Sequence, residues 1–165
     1  MAGRLIAPHL QLVALALWLG AAAFFSFGVA PAVFATLPSR TLAGAVVGRT
    51  LPIVFYAGIV VGALVVVLQA AGGRTALRDA TALCGCLIVV ACGVAQFIVA
   101  PRIDRLRQEI GGPIEVLSAD DARRAAFGRL HGMSVAWLGL AMLAAGVALV
   151  IAWRAESPPS QYSSH

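Results

Sequence analysis

Few side chains in this chain can do chemistry. His9, His131 and His165 are its histidines, and Cys84, Cys86 and Cys92 its thiols. Two histidines near apolar helices invite a haem or metal site. However, His9 opens the first apolar stretch and His131 lies in the first half of the last one, at opposite membrane edges and about 30 Å apart. His165 stands in a polar tail, 157–165, that reads as disordered. A Cys84-x-Cys86 pair on a helix points to nearly opposite sides, so it chelates poorly, and zinc spacings such as C-x-x-C or H-E-x-x-H do not occur. The thiols read as small buried hydrophobes. His9 with Cys84 or Cys86 stays as the alternative metal reading, and no cofactor is predicted.

The most suggestive polar set lies near one membrane face: Arg49, Tyr56, Gln96, Arg102, Arg129 and His131. Pro101-Arg102 ends the third apolar stretch, and Arg129-x-His131 opens the fourth. An antiparallel hairpin would bring them to one depth, where they suit an anionic headgroup or a small anion. Interfacial hydrogen bonding and snorkelling is the alternative reading. There is no P-loop, no nucleophile elbow and no carboxylate inside an apolar stretch, so neither an enzyme nor a carboxylate proton relay is expected.

The elements that position these residues are four apolar stretches, at about 8–34, 51–71, 80–100 and 133–153. A hydrocarbon core of about 30 Å needs about 20 apolar residues per helix, and each stretch supplies them. The chain is 61% hydrophobic and 12% charged, with mean hydropathy +0.92. A soluble domain carries about 25% charged residues. The first stretch is too long for a signal-peptide core of about 7–15 residues. It continues through Phe24, Phe25, Phe27, Val29 and Val33, so it reads as a retained helix.

Helix limits follow from capping chemistry. Pro8 suits a first helical position, Leu37-Pro38-Ser39 ends the first helix, and Ser39 or Thr41 caps the second. Gly72-Gly73 ends the second, Thr75 caps the third, and Gly111-Gly112-Pro113 stops it. Ser118-x-x-Asp121 resembles a capping box for the fourth. The expected helices are 8–36, 40–71, 76–110 and 119–153, in one domain of 1–156. Short connections imply antiparallel neighbours, hence an all-α integral membrane up-down-up-down four-helix bundle. The last two helices, about 50 Å long at 1.5 Å per residue, should project beyond the bilayer.

Small residues at helical spacing mark expected packing faces: Gly44, Gly48, Gly58 and Gly62 with Gln69, then Gly85, Cys92, Gly93, Gln96 and Ala100, then Gly128, Gly132, Gly139 and Gly146. The same glycine faces suit homo-oligomer contact. Pro31, Pro52 and Pro101 lie near one face, where they either splay the bundle or mark helix exits.

All twelve basic residues are Arg, and the net charge is +5. In so apolar a chain this points to anionic lipid headgroups, and no basic-aromatic surface suggests nucleic acid. Eight arginines lie toward the 1–2 and 3–4 connections and four toward the termini. The richer side is expected in the cytoplasm, with both termini outside an inner cell membrane.

His9 with Trp18-x-Gly20, Leu37-Pro38 with Thr41 and Gly44, Pro101-Arg102, and above all Phe127-x-Arg129-x-His131-Gly132-x-Ser134 resemble the transmembrane-protein-205-like family over about residues 8–150. That resemblance implies a four-span membrane domain of no established reaction, one branch of which is associated with resistance to platinum drugs. It draws attention to His9, Arg102, Arg129 and His131 without giving them a role. The 3–4 connection here is shorter than in the animal relatives, so roles placed there do not transfer. The expectation is a small membrane protein, not an enzyme, that handles a lipid, a small solute or a stress-related export step. The alternatives are a redox or metal-binding membrane protein and a structural subunit of a larger complex.

Overall fold

The structure, a computed structural model, describes residues 2–71 and 75–156, so the expected Gly72-Gly73 stop and the tail from Ser157 lie outside the described residues. Those residues are helical or in short connections, with no strand. Helix α1 (Ala2–Phe24) passes through a π-helical turn (Phe25–Val29) into α2 (Ala30–Thr36). Helix α3 spans Arg40–Ala70. Helix α4 (Ala76–Val94) passes through a second π-helical turn (Ala95–Val99) into α5 (Ala100–Ile110). A short 3-10 turn (Ile114–Val116) leads to α6 (Ala122–Glu156). Four rods result, each long and apolar enough to cross a membrane.

The helix ends show why the chain turns where it does. Ser39 Oγ accepts the Leu42 N–H at 3.1 Å, and Thr75 Oγ1 accepts the Arg78 N–H at 3.3 Å, so both act as N-caps. Gly111 ends α5 in the left-handed region at φ +66°, where a side chain would be strained, and its N–H reaches Arg107 O. Two expected limits move. The first helix begins at Ala2, because nothing before Pro8 breaks it and one proline near a helix end removes a single hydrogen bond. The last helix begins at Ala122, not 119. Asp121 is its cap: the carboxylate accepts the Arg123 N–H at 2.8 Å, while Ser118 only closes the preceding turn through its carbonyl.

The prolines are treated in two ways. Pro31 and Pro101 each follow a π-helical turn at the start of the next α segment, whereas Pro52 sits inside an uninterrupted α3. A wider turn gives the proline ring room and absorbs its missing N–H.

The core runs along the middle of the rods through Leu15, Trp18, Phe55, Val65, Ile88, Cys92, Ala141 and Ala145. Trp18 donates its indole N–H to Val54 O at 2.9 Å, crossing from α1 to α3. Gln11 meets Gln69 one end away, so the contacts of these two helices run in opposite senses. Between α3 and α4, Gly62 and Gly85 face each other's backbones: a Cβ on Gly62 would lie 2.8 Å from Gly85 O, and one on Gly85 2.9 Å from Gly62 O. A Cβ on Gly58 would lie 2.6 Å from Cys92 Sγ and 2.8 Å from Trp18 Cζ2. Without lipid-phase hydrophobic drive, such close approach is what dispersion needs to hold helices together.

Other expected packing glycines do not pack. Gly93, Gly128, Gly132, Gly139 and Gly146 have nothing within 4 Å of a built Cβ. The α6 stripe therefore faces away from this chain rather than inward, because small residues at helical spacing mark a smooth face without saying what lies against it. Leu17, Phe24, Phe27, Val60, Leu83 and Leu143 are largely exposed, as side chains meeting lipid tails would be.

Candidate functional site

Construction of the arginine-rich end starts from Arg107 on α5. Its Nη2 donates to Gly44 O at 3.2 Å, its Nη1 stands 4.0 Å from Asp104 Oδ1, and its guanidinium lies 5.5 Å from the Phe127 ring centroid. A Cβ on Gly44 or Gly48 would come within 3.2 or 3.1 Å of that guanidinium. These two glycines, expected to seat a helix, seat an arginine instead. Phe127 is also stacked on His131, with centroids 6.4 Å apart and planes 3° from parallel. Arg107 thus joins α5, α3 and α6.

Two further contacts fix the connection before α6. Thr41 Oγ1 donates to Glu115 Oε2 at 2.7 Å, and this bond, more than nearby Arg40, holds the Glu115 carboxyl below its ordinary pKa. Asp121 binds Arg123 through both carboxylate oxygens, and those bonds lower its pKa likewise.

What these anchors leave over is cationic. Arg49, Arg102 and Arg129 are exposed, and no hydrogen bond or ion pair holds any of them among the described residues. They share a level, because each is within about two helical turns of a residue beside Arg107: Gly48, Arg107 itself, and Phe127. His131 is exposed one residue from Gly132. The structure does not join Arg102 to His131; both point outward. Tyr56 is half-exposed and packs edge-to-face on Phe97 at 6.0 Å. Gln96 departs from the set: its Oε1 is buried and has no partner. Five of the six expected residues are therefore exposed and Gln96 is turned inward; no contact joins the six in one enclosed pocket.

Metal chemistry finds no cluster: among the described residues no three His, Cys, Asp or Glu side chains group to hold an ion. Cys84 is buried and Cys86 exposed, so the two diverge around α4 as a C-x-C pair should.

The opposite end holds a network that sequence reasoning missed. Gln69 Nε2 donates to Gln11 Oε1, Arg78 Nε donates to Gln69 Oε1 at 3.0 Å, and Arg78 Nη2 donates to Leu68 O at 3.3 Å. Gln11 is 3% exposed, so its amide oxygen finds its partner inside the protein. The legible signal was a glutamine inside each of two apolar stretches, with an arginine opening the third.

The comparisons with known proteins place the chain without assigning an activity. Neither a curated protein nor a solved structure matches it. Residues 13–111, from early α1 through α5, match the family described as Domain of unknown function (DUF4149). That is more than half of the chain, and it takes in the Trp18–Val54 bond, the Gly62–Gly85 crossing and both π-helical turns. The chain belongs to the DUF4149 family.

Proposed function

We propose that this is a non-enzymatic, multi-pass protein of the inner cell membrane that handles lipid, its arginine-rich end engaging anionic headgroups. In this reading the four rods cross the bilayer as an antiparallel up-down-up-down bundle. The 1–2 and 3–4 connections lie in the cytoplasm and both termini outside. The opposed running of contacts between α1 and α3 supports the bundle, and the eight-to-four distribution of arginines supports the orientation.

One observation carries the lipid reading. Arg49, Arg102 and Arg129 stand exposed at one level on apolar rods, with no carboxylate partner among the described residues. A guanidinium at that depth is stable when its stem lies along apolar surface and its head meets an anion. Phosphate in a headgroup accepts its paired N–H donors, and anionic lipid attracts each such charge by about 1 kcal/mol. Mass spectrometry of lipid co-purified with wild type and with Arg49→Gln/Arg102→Gln/Arg129→Gln tests this. The wild type should be enriched in anionic over zwitterionic lipid and the variant should lose the enrichment. Equal lipid profiles in the two would refute it.

A second reading, a subunit that pairs with another copy, rests on the α6 glycines. Gly128, Gly132, Gly139 and Gly146 form a smooth face that meets nothing in this chain. The resemblance to the transmembrane-protein-205-like family fits either reading. Its most specific residues, Phe127 to Ser134, lie beyond the matched 13–111.

A further inference from the structure

The two halves of the bundle repeat each other. Phe27-x-Val29-Ala30-Pro31 recurs 70 residues on as Phe97-x-Val99-Ala100-Pro101. The same offset carries the buried positions Gln11, Leu15, Trp18, Ala22 and Phe25 onto Thr81, Gly85, Ile88, Cys92 and Ala95, every one of them buried. It also carries one π-helical turn onto the other. The return helices share a shorter mark, Ala45-x-x-Gly48-Arg49 and Ala125-x-x-Gly128-Arg129. Each half is therefore one copy of a two-helix unit, with a proline-interrupted first helix and an exposed arginine on the second.

The interruptions are polar in the same way. Ser26 Oγ and Gln96 Oε1 are buried side-chain atoms without a hydrogen-bond partner, and they occupy equivalent positions in the two turns. Their main chains add to this. The Ala30 N–H bonds Phe25 O, five residues back, and Pro31 has no N–H, so Ser26 O loses both helical donors that could serve it. The Ala100 N–H bonds Ala95 O and Pro101 has none, so Gln96 O is left the same way. An unserved carbonyl within an apolar span is strongly unfavourable unless something else satisfies it. Proline-interrupted apolar helices at corresponding positions of two halves mark binding sites in membrane proteins built from repeats.

The groups on offer decide the ligand. Freed carbonyls are acceptors and would repel an anion. Neither turn contains a carboxylate, and the nearest in sequence, Asp104, lies five residues beyond Val99 beside Arg107, whereas divalent ions are held through carboxylate charge. Neutral oxygens suit a monovalent cation, which they serve in place of its hydration shell. We propose that the equivalent turns at Ser26 and Gln96 bind a compact monovalent cation, an alkali ion or ammonium, through neutral side-chain and main-chain oxygens. The second turn adjoins the arginine-rich end, with Arg102 three residues beyond Val99, but the proposal does not rest on that end binding lipid.

Thermal unfolding of the purified full chain in detergent tests the proposal, in sodium, potassium, ammonium or N-methylglucamine chloride at matched ionic strength. The midpoint should rise saturably with a small cation and not with N-methylglucamine, because a ligand of the folded state alone stabilises by mass action. A response to sodium or potassium assigns an alkali ion, and a response to ammonium alone assigns an amine-type ligand. Ser26→Ala and Gln96→Leu should each raise the half-saturating concentration about tenfold, the loss of roughly one strong oxygen contact. Thr81→Val, whose hydroxyl bonds Leu77 O and which lies fourteen residues before the second turn, should leave the response unchanged. Identical wild-type midpoints in all four salts would overturn the proposal. So would an undiminished response in both Ser26→Ala and Gln96→Leu.

Discussion

Replacing Gly62 with Ala puts a methyl group into a helix crossing that has no space for it. The new Cβ would lie 2.8 Å from Gly85 O, 2.9 Å from Val89 Cγ2 and 3.1 Å from Ile88 Cβ. A side-chain tip can swing aside, but a carbonyl inside α4 moves only with its helix. Overpacking of this kind costs about 1–3 kcal/mol. Against it stands the gain of about 0.5–1 kcal/mol from restricting the unfolded backbone and favouring helix. Gly139→Ala supplies the control, because nothing lies within 4 Å of its built Cβ and only the gain applies. The two variants should therefore differ by the overpacking cost, about 1–3 kcal/mol or about 5- to 150-fold in the unfolding constant. Denaturant titration in detergent, followed by helical circular dichroism, measures the difference. If Gly62→Ala proves as stable as Gly139→Ala, the crossing is not as close as described and the packing argument fails.

Three further outcomes are expected. Glu115, held below the ordinary carboxylate range chiefly by the Thr41 hydroxyl, binds fewer protons folded than unfolded between its two pKa values. The stability it adds is full above the unfolded value and is lost as pH falls through the folded one. Thr41→Val should flatten that acid-side loss in a pH series of unfolding midpoints, and an unchanged pH profile would rule out the contact. Trp18→Phe removes the indole donor to Val54 O at a 4% exposed site and should cost about 1–2 kcal/mol by the same denaturant assay, with no loss indicating that the bond is idle. Arg107→Met removes the tie to Gly44 O and should speed amide hydrogen exchange over α5, whereas unchanged exchange there would mean that Asp104 and Phe127 do not depend on it.

The legible part of this fold was one-dimensional. Length and apolarity mark the four rods, and single residues with unambiguous local chemistry mark their ends: Ser39, Thr75 and Gly111 act as read. Asp121 displaced Ser118 as the last cap because the helix starts at Ala122, which places the free Arg123 N–H two residues beyond the Asp121 carboxylate and out of reach of Ser118's capping position. Faces were harder to read. Gly62 and Gly132 look alike in sequence, yet one meets a carbonyl and the other meets nothing, because spacing defines a stripe and only the other helices define its neighbour. Gly44 and Gly48 seat Arg107, a partner about 60 residues away that no local pattern links to them. The Gln11–Gln69–Arg78 network needs three helices to exist at all. For the candidate site, Arg49, Arg102 and Arg129 were legible as arginines flanking apolar stretches, whereas their exposure and the inward turn of Gln96 depend on helix rotation. The internal repeat lay in plain view as two Phe-x-Val-Ala-Pro segments, but only the shared burial pattern and the paired π-helical turns give it meaning.

The account depends most on the arginine-rich end lying at the cytoplasmic surface of a membrane that the four helices cross. Cysteine accessibility measures this directly. In a background with Cys84, Cys86 and Cys92 replaced, Ser118→Cys probes the connection before α6, and Ala76→Cys probes the opposite end at the start of α4. An impermeant thiol reagent should label Ala76→Cys in intact cells and label Ser118→Cys only after the membrane is opened. Labelling of Ser118→Cys in intact cells, or equal labelling of both positions there, would contradict the account.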